Sequence, residues 1–229
     1  MPTFKKIAIG FPLLALAALV IGGVILTAMP HESVSANHGS DLHNAIRKKD
    51  VASYGARAYI EGTDPDIHGG EWVYNRVAVV QTNPWRYGEI GWLKKSNGTF
   101  KGLIVWENPG YNNLEFSYSS GSTHRFTNQY DPNTGKYHWF YDGTWIHSET
   151  LGFAQGDMVF CGGEVATGVE GMGNTRCGNG GSNGLQYLVQ DGNGGWEYRN
   201  WGSHSVYVED APYRTVNINS SNFRAKGNE

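Results

Sequence analysis

The chain has 229 residues, a formal net charge of −3 and only 17% charged residues, so no basic patch favours nucleic acid as a partner. Glycine is abundant at 32 residues and aromatics reach 13%, a balance that suits the turns and faces of extracellular β-sandwiches. His-Glu-x-x-His, phosphate-loop and dinucleotide motifs are all missing, which removes the commonest zinc-protease and nucleotide-enzyme readings.

Lys5 and Lys6 precede an uncharged apolar run from Ile7 to Met29, and Val34-Ser35-Ala36 places small residues where a signal peptidase reads. The pattern predicts a signal peptide over residues 1–36, cleaved after Ala36, and a secreted protein. The alternative is an uncleaved anchor, because the run is long enough to span a bilayer; that segment would be the sole membrane attachment. About 190 residues remain, enough for one domain with its own core. Residues 37–50 are polar, with helical flavour from Asp41 to Lys49, and predict a linker or short helix too short for a sizeable inhibitory pro-domain.

From residue 51 to 220 the pattern is strands and turns. Expected strands are Ala56 to Ile60, Trp72 to Thr82, Tyr87 to Lys94, Gly102 to Glu107, Leu114 to Tyr118 and His124 to Tyr130. Tyr137 to Tyr141 and Thr144 to Ser148 flank Asp142-Gly143, a pair suited to the positive φ angles of a type I′ hairpin turn. Met158 to Val165, Leu185 to Val189, Trp196 to Trp201, Ser205 to Val208 and Tyr213 to Asn219 follow, and residues 221–229 read as a polar tail. About a dozen strands without an amphipathic helix must pack as two sheets or close as a barrel. The expected fold is all-β, an antiparallel β-sandwich of jelly-roll or concanavalin-like type.

Two cysteines, Cys161 and Cys177, sit in the expected mature part. Export and the even count favour one disulfide closing a short glycine-rich loop, worth about 3 kcal/mol. Two separate buried thiols are the alternative. A cysteine metal pair is disfavoured because no Cys-x-x-Cys or matching histidine spacing accompanies them. His138 and His147, on the two arms of the hairpin, are possible neighbours but more ordinarily structural. Asp191-Gly192-Asn193-Gly194 lacks the remaining carboxylates of a calcium loop and reads as a turn.

Two glutamates stand out. Strand alternation puts Glu89 on a face with Tyr87, Gly91 and Leu93, and Glu164 on a face with Met158, Phe160 and Gly162. Each acid is set among apolar side chains, which raise a carboxyl pKa, with a glycine two residues away that lets other groups approach. A solvent-facing sheet surface is the plain alternative.

Four blocks in order resemble the neprosin family of glutamic peptidases: Tyr87-Gly88-Glu89-Ile90-Gly91-Trp92; Lys136 to Ile146 with Leu151-Gly152-Phe153; Gly162-Gly163-Glu164-Val165; and Met172-Gly173-Asn174. They cover about half of the expected mature chain. Ile90 departs from the small residue usual there, and the strands from Leu185 onward match poorly. The resemblance implies an antiparallel β-sandwich endopeptidase that cleaves peptide or protein substrates, best known after proline and at acid pH. It places the catalytic pair on Glu89 and Glu164, sharing a proton, with Glu89 as the water-activating member and Glu164 as its acidic partner. It needs no metal and no cofactor. Trp92, Trp139, Tyr141 and Trp145 are then candidates to line a substrate groove, although hairpin aromatics also pack across strands. The rival readings are a retaining glycosidase with two glutamates and a non-catalytic carbohydrate- or surface-binding module.

Overall fold

A computed structural model describes residues 42–67, 72–166 and 172–227. The expected leader and its cleavage motif lie outside these residues. Among the described residues the chain forms sixteen strands and one 3-10 turn, Gly181–Asn183. In order they are β1 (Leu42–Ser53), β2 (Gly55–Glu61), β3 (Trp72–Thr82), β4 (Trp85–Lys95), β5 (Phe100–Glu107), β6 (Tyr111–Phe116), β7 (Thr123–Asp131) and β8 (Lys136–Tyr141). There follow β9 (Thr144–Glu149), β10 (Gly156–Ala166), β11 (Thr175–Cys177), β12 (Leu185–Gln190), β13 (Trp196–Asn200), β14 (Ser205–Glu209), β15 (Arg214–Asn219) and β16 (Asn222–Lys226).

Two antiparallel sheets form a β-sandwich, as the strand pattern requires. One has seven strands in the order β14-β1-β10-β3-β4-β5-β6. The other has nine: β15-β16-β11-β2-β7-β8-β9, with β12 also on β2 and β13 on β12. The core between them takes every second residue of the central strands, among them Val77, Val79, Ile90, Trp92, Phe126, Tyr137, Trp139, Val159 and Cys161. Asn128, fully buried, ties the layers together: its side-chain oxygen accepts the Ala56 N–H at 2.7 Å and its amide donates to the Gly88 carbonyl at 2.8 Å.

Two expectations are corrected here. Residues 42–50 of the stretch read as a linker or short helix belong to β1, an interior strand paired with β10 on one side and β14 on the other; residues 37–41 lie outside the described residues. Leu42, Ala45 and Ile46 mimic a helical stripe, but ladder hydrogen bonds on both edges override that weak preference. The residues read as a polar tail contain β16, whose Phe223 and Ala225 are fully buried between polar neighbours. The Asp142-Gly143 hairpin turn forms with φ of 48° and 86°, the left-handed pair a type I′ turn needs.

Candidate active site

The site lies on the face of the seven-stranded sheet that points away from the sandwich core. Three strands supply it, and register decides how. On β3 the residue pointing outward at mid-strand is Arg76, flanked directly by Gly162 of β10 and Gly91 of β4. A Cβ on Gly91 would strike the Arg76 Cα and the Asn75 carbonyl, so only glycine admits this close approach. Glu89 stands opposite Ala78, two residues along β3 in one direction, and Glu164 stands opposite Tyr74, two residues in the other. The two acids therefore reach toward Arg76 from opposite ends of one diagonal.

Arg76 holds both. Its Nε donates to Glu89 Oε2 at 2.7 Å and its Nη2 donates to Glu164 Oε2 at 2.7 Å. All three are buried, with relative exposures of 0% for Arg76, 2% for Glu89 and 1% for Glu164. The guanidinium also lies 5.2 Å from the Tyr74 ring centre and 5.4 Å from that of Phe160, within cation–π range. Among the described residues no hydrogen bond joins the two carboxyls to each other. The two acids are bridged by a cation.

Burial pushes the Glu89 carboxyl up to about 7; Arg76 pulls it down and Glu164 pushes it further up. For Arg76, burial works against the charge, but Glu164 and Glu89 outweigh it and hold the guanidinium above its ordinary range. Burial, then the charge of Glu89, also raises the phenols of Tyr74 and Tyr87, keeping them neutral donors. Two buried polar atoms in this cluster have no protein partner: Arg76 Nη1, a donor, and Glu164 Oε1, an acceptor.

The aromatic candidates do not gather around these acids. Trp92 is on the opposite face of β4 from Glu89, fully buried, with its indole N–H on the Glu61 carbonyl at 3.0 Å. Trp139 is likewise core, packed against Gly88 and 5.8 Å from the Trp106 ring. Trp145 is 57% exposed on β9, its indole N–H donating to Ser148 Oγ at 2.8 Å. Tyr141 lies in the nine-stranded sheet against His124, ring centres 4.9 Å apart. Their alternation points Trp92 and Trp139 into the sandwich, so neither lines a groove on the acid face.

Cys161 and Cys177 are free thiols, both buried. They come from different sheets, β10 and β11, and their side chains are in hydrogen-bond contact, with the Cys161 thiol raised by burial and then by Cys177. The expected loop-closing disulfide is therefore corrected to a thiol pair across the core. His138 and His147 face opposite sides of the hairpin: His138 bonds Ser148 Oγ at 2.7 Å while His147 stacks on Trp139.

Arg76 is the residue that sequence reading missed. Its signal was a lone cation inside Val73 to Val80, a run apolar enough to be buried, where a charge must find a partner.

No family model matches the chain, and no curated protein matches it. Solved structures do. The chain is similar to scytalido-glutamic peptidase, solved with a peptide-based transition-state analog, with a TM-score of 0.54 and 8% identity over 81% of this chain and 97% of that one. It is similar to SCP-B, a member of the eqolisin family of peptidases solved with the tripeptide Ala-Ile-His, with a TM-score of 0.51 and 8% identity over 81% and 96% of the two chains. A Bacillus licheniformis β-glucanase reaches a TM-score of only 0.39 with 13% identity over 55% of this chain and 60% of that one, and bears no weight. At these identities the likeness is one of fold, an antiparallel β-sandwich.

Proposed function

We propose that the protein is a secreted glutamic endopeptidase, related to the neprosin family, that hydrolyses peptide bonds with Glu89 and Glu164. The observation that carries this is the convergence of two buried glutamates on one guanidinium, on a glutamic-peptidase-like sandwich. The chemistry follows from their different surroundings. Below about pH 7 Glu89 holds a proton and is a hydrogen-bond donor. Glu164, ion-paired with Arg76, is the acceptor. A water placed between the unpartnered Arg76 Nη1 and Glu164 Oε1 has one donor and one acceptor to orient it.

Glu164 takes a proton from that water as its oxygen attacks the scissile carbonyl carbon. Glu89 donates to the carbonyl oxygen as charge develops there. Collapse of the tetrahedral species breaks the C–N bond: the proton held on Glu164 passes to the leaving amine, and the hydroxyl formed from the carbonyl oxygen returns its proton to Glu89. This assigns the proton-bearing role to Glu89 and the base to Glu164, the reverse of the family expectation, because burial favours the neutral form of Glu89. Arg76 fixes the direction of both carboxyls and, through Nη1, orients the attacking water. Neither step needs a cofactor. Cleavage after proline is the specificity that the neprosin resemblance adds to this reading.

The test is proteolysis of a proline-containing protein by the full chain at acid pH, beside the single variants Glu89→Gln and Glu164→Gln. Each substitution removes a proton-transfer group, so each should slow cleavage by about 10²–10⁴-fold. Full activity in either variant would sink the assignment of that residue.

A further inference from the structure

Away from the acid site, a hydrogen-bond chain at the rim of the nine-stranded sheet has the order of a nucleophile, a base and an orienting acid. Ser122, the residue before β7, places Oγ 2.7 Å from Nε2 of His124. Nδ1 of His124 lies 2.6 Å from Oδ2 of Asp142, at the tip of the β8–β9 hairpin. The acid is fixed from both sides: its Oδ1 accepts the Arg125 N–H at 2.8 Å and its own N–H donates to the Arg125 carbonyl at 2.9 Å. A carboxylate only accepts, so Nδ1 carries the imidazole proton and Nε2 is left to accept from the serine hydroxyl. The imidazole is clamped between Tyr118, 5.4 Å away edge-on, and Tyr141, 4.9 Å away. Ser122 itself is exposed.

A second observation points to a ligand at the same corner. The Tyr118 hydroxyl is buried and has no hydrogen-bond partner. It sits directly over Gly62, where any Cβ would collide with it, and the Gly62 N–H donates to the Ser122 carbonyl at 2.8 Å. An unspent phenolic donor therefore stands beside the backbone of the serine. Tyr141 and Phe116, with ring centres 5.5 Å apart, add a half-buried apolar wall.

We propose that Ser122, His124 and Asp142 form a second hydrolytic centre, for small aryl or short-chain carboxylic esters, with the Tyr118 hydroxyl as donor to the developing oxyanion. Ser122 Oγ bonds to the ester carbonyl carbon and its proton moves to Nε2 of His124. The bond from that carbon to the alcohol oxygen breaks, and the alcohol leaves with the proton from His124. Water then attacks the acyl carbon, giving one proton to Nε2; the bond to Oγ breaks, Ser122 recovers that proton, and the carboxylic acid departs. The exposed serine and shallow apolar wall fit a small ester, not an extended polymer.

The experiment uses the full chain carrying Glu89→Gln and Glu164→Gln, so that the acid site is silent, at pH 8. Treatment with a fluorophosphonate probe followed by peptide mapping should place the label on Ser122. Hydrolysis of p-nitrophenyl acetate should fall by about 100-fold in Ser122→Ala and in His124→Gln. A folded chain, shown by its melting transition, that carries no label on Ser122 overturns the proposal. So does ester hydrolysis unchanged by Ser122→Ala, which would leave the three residues as a structural clasp for the hairpin.

Discussion

At Arg76 one buried guanidinium satisfies two buried acids, and removing it leaves both without their hydrogen-bond partner and Glu164 without its ion pair in the protein interior. Breaking such a cluster from one side costs about 3–5 kcal/mol, whereas replacing all of its charges with neutral groups costs much less. Arg76→Met is therefore expected to lose about 3–5 kcal/mol in urea denaturation. The triple variant with Glu89→Gln and Glu164→Gln should regain most of that loss; no regain would mean that Arg76 acts through packing alone. Glu89 gives a separate signature. Its folded pKa, about 7, lies above the ordinary carboxylate value of 4.5, so the folded state binds the proton more tightly. The stabilisation from this group is full below about pH 4.5 and is lost as pH rises through about 7. Chemical denaturation at pH 5 and pH 8 should show the wild type weakening across that interval more than Glu89→Gln; equal slopes would contradict the burial of an ionisable Glu89. Of this site the two glutamates were legible from strand alternation and glycine spacing. Arg76 was not, because its partners come from two other strands and a single strand's pattern cannot show which strands are neighbours.

The elements teach a related lesson. The long apolar strands β3 and β10 and the Asp142-Gly143 hairpin were readable because period and turn chemistry agree there with the tertiary pairing. At β1 they disagree: its local pattern is helical, and only the two ladders to β10 and β14 make it a strand. The short strands β11 and β16 have three and five residues, too few for a period to emerge from sequence. Yet β16 matters for stability. Phe223 and Ala225 are fully buried, and β16 joins β15 to β11. A chain ending at Ser220 loses that strand and leaves β11 with an open edge. Loss of a buried phenylalanine alone costs about 3–5 kcal/mol, so this truncation should lower the denaturation midpoint by at least that free-energy equivalent. An unchanged midpoint would show that the last strand is an accessory to the sandwich and not part of it.

At the scale of the whole molecule, the two faces of the seven-stranded sheet divide the work. The inner face carries Trp92, Ile90, Val77 and Cys161 into the core, while the outer face carries Arg76, Glu89 and Glu164. A one-residue shift of β4 against β3 would put Glu89 in the core and Trp92 outside, so apolar burial fixes the register and the register fixes the site. Sequence alternation was enough to foresee a sandwich, but it could not say which face of each strand met the other sheet. Of the two readings open for Trp92 and Trp139, packing and groove, the structure puts both side chains in the interior. The eqolisin-type likeness in fold persists at 8% identity because a sandwich needs a pattern of burial, and many sequences supply one.

In the proposed mechanism Glu89 is the proton donor and Glu164 the base. That assignment is tested most directly by the pH dependence of kcat/KM for the full chain on a proline-containing peptide. Activity on the acid side should decline as pH rises through about 7, where Glu89 gives up its proton. Cleavage that persists undiminished well above pH 7 would contradict it, because an ionised Glu89 has no proton to donate.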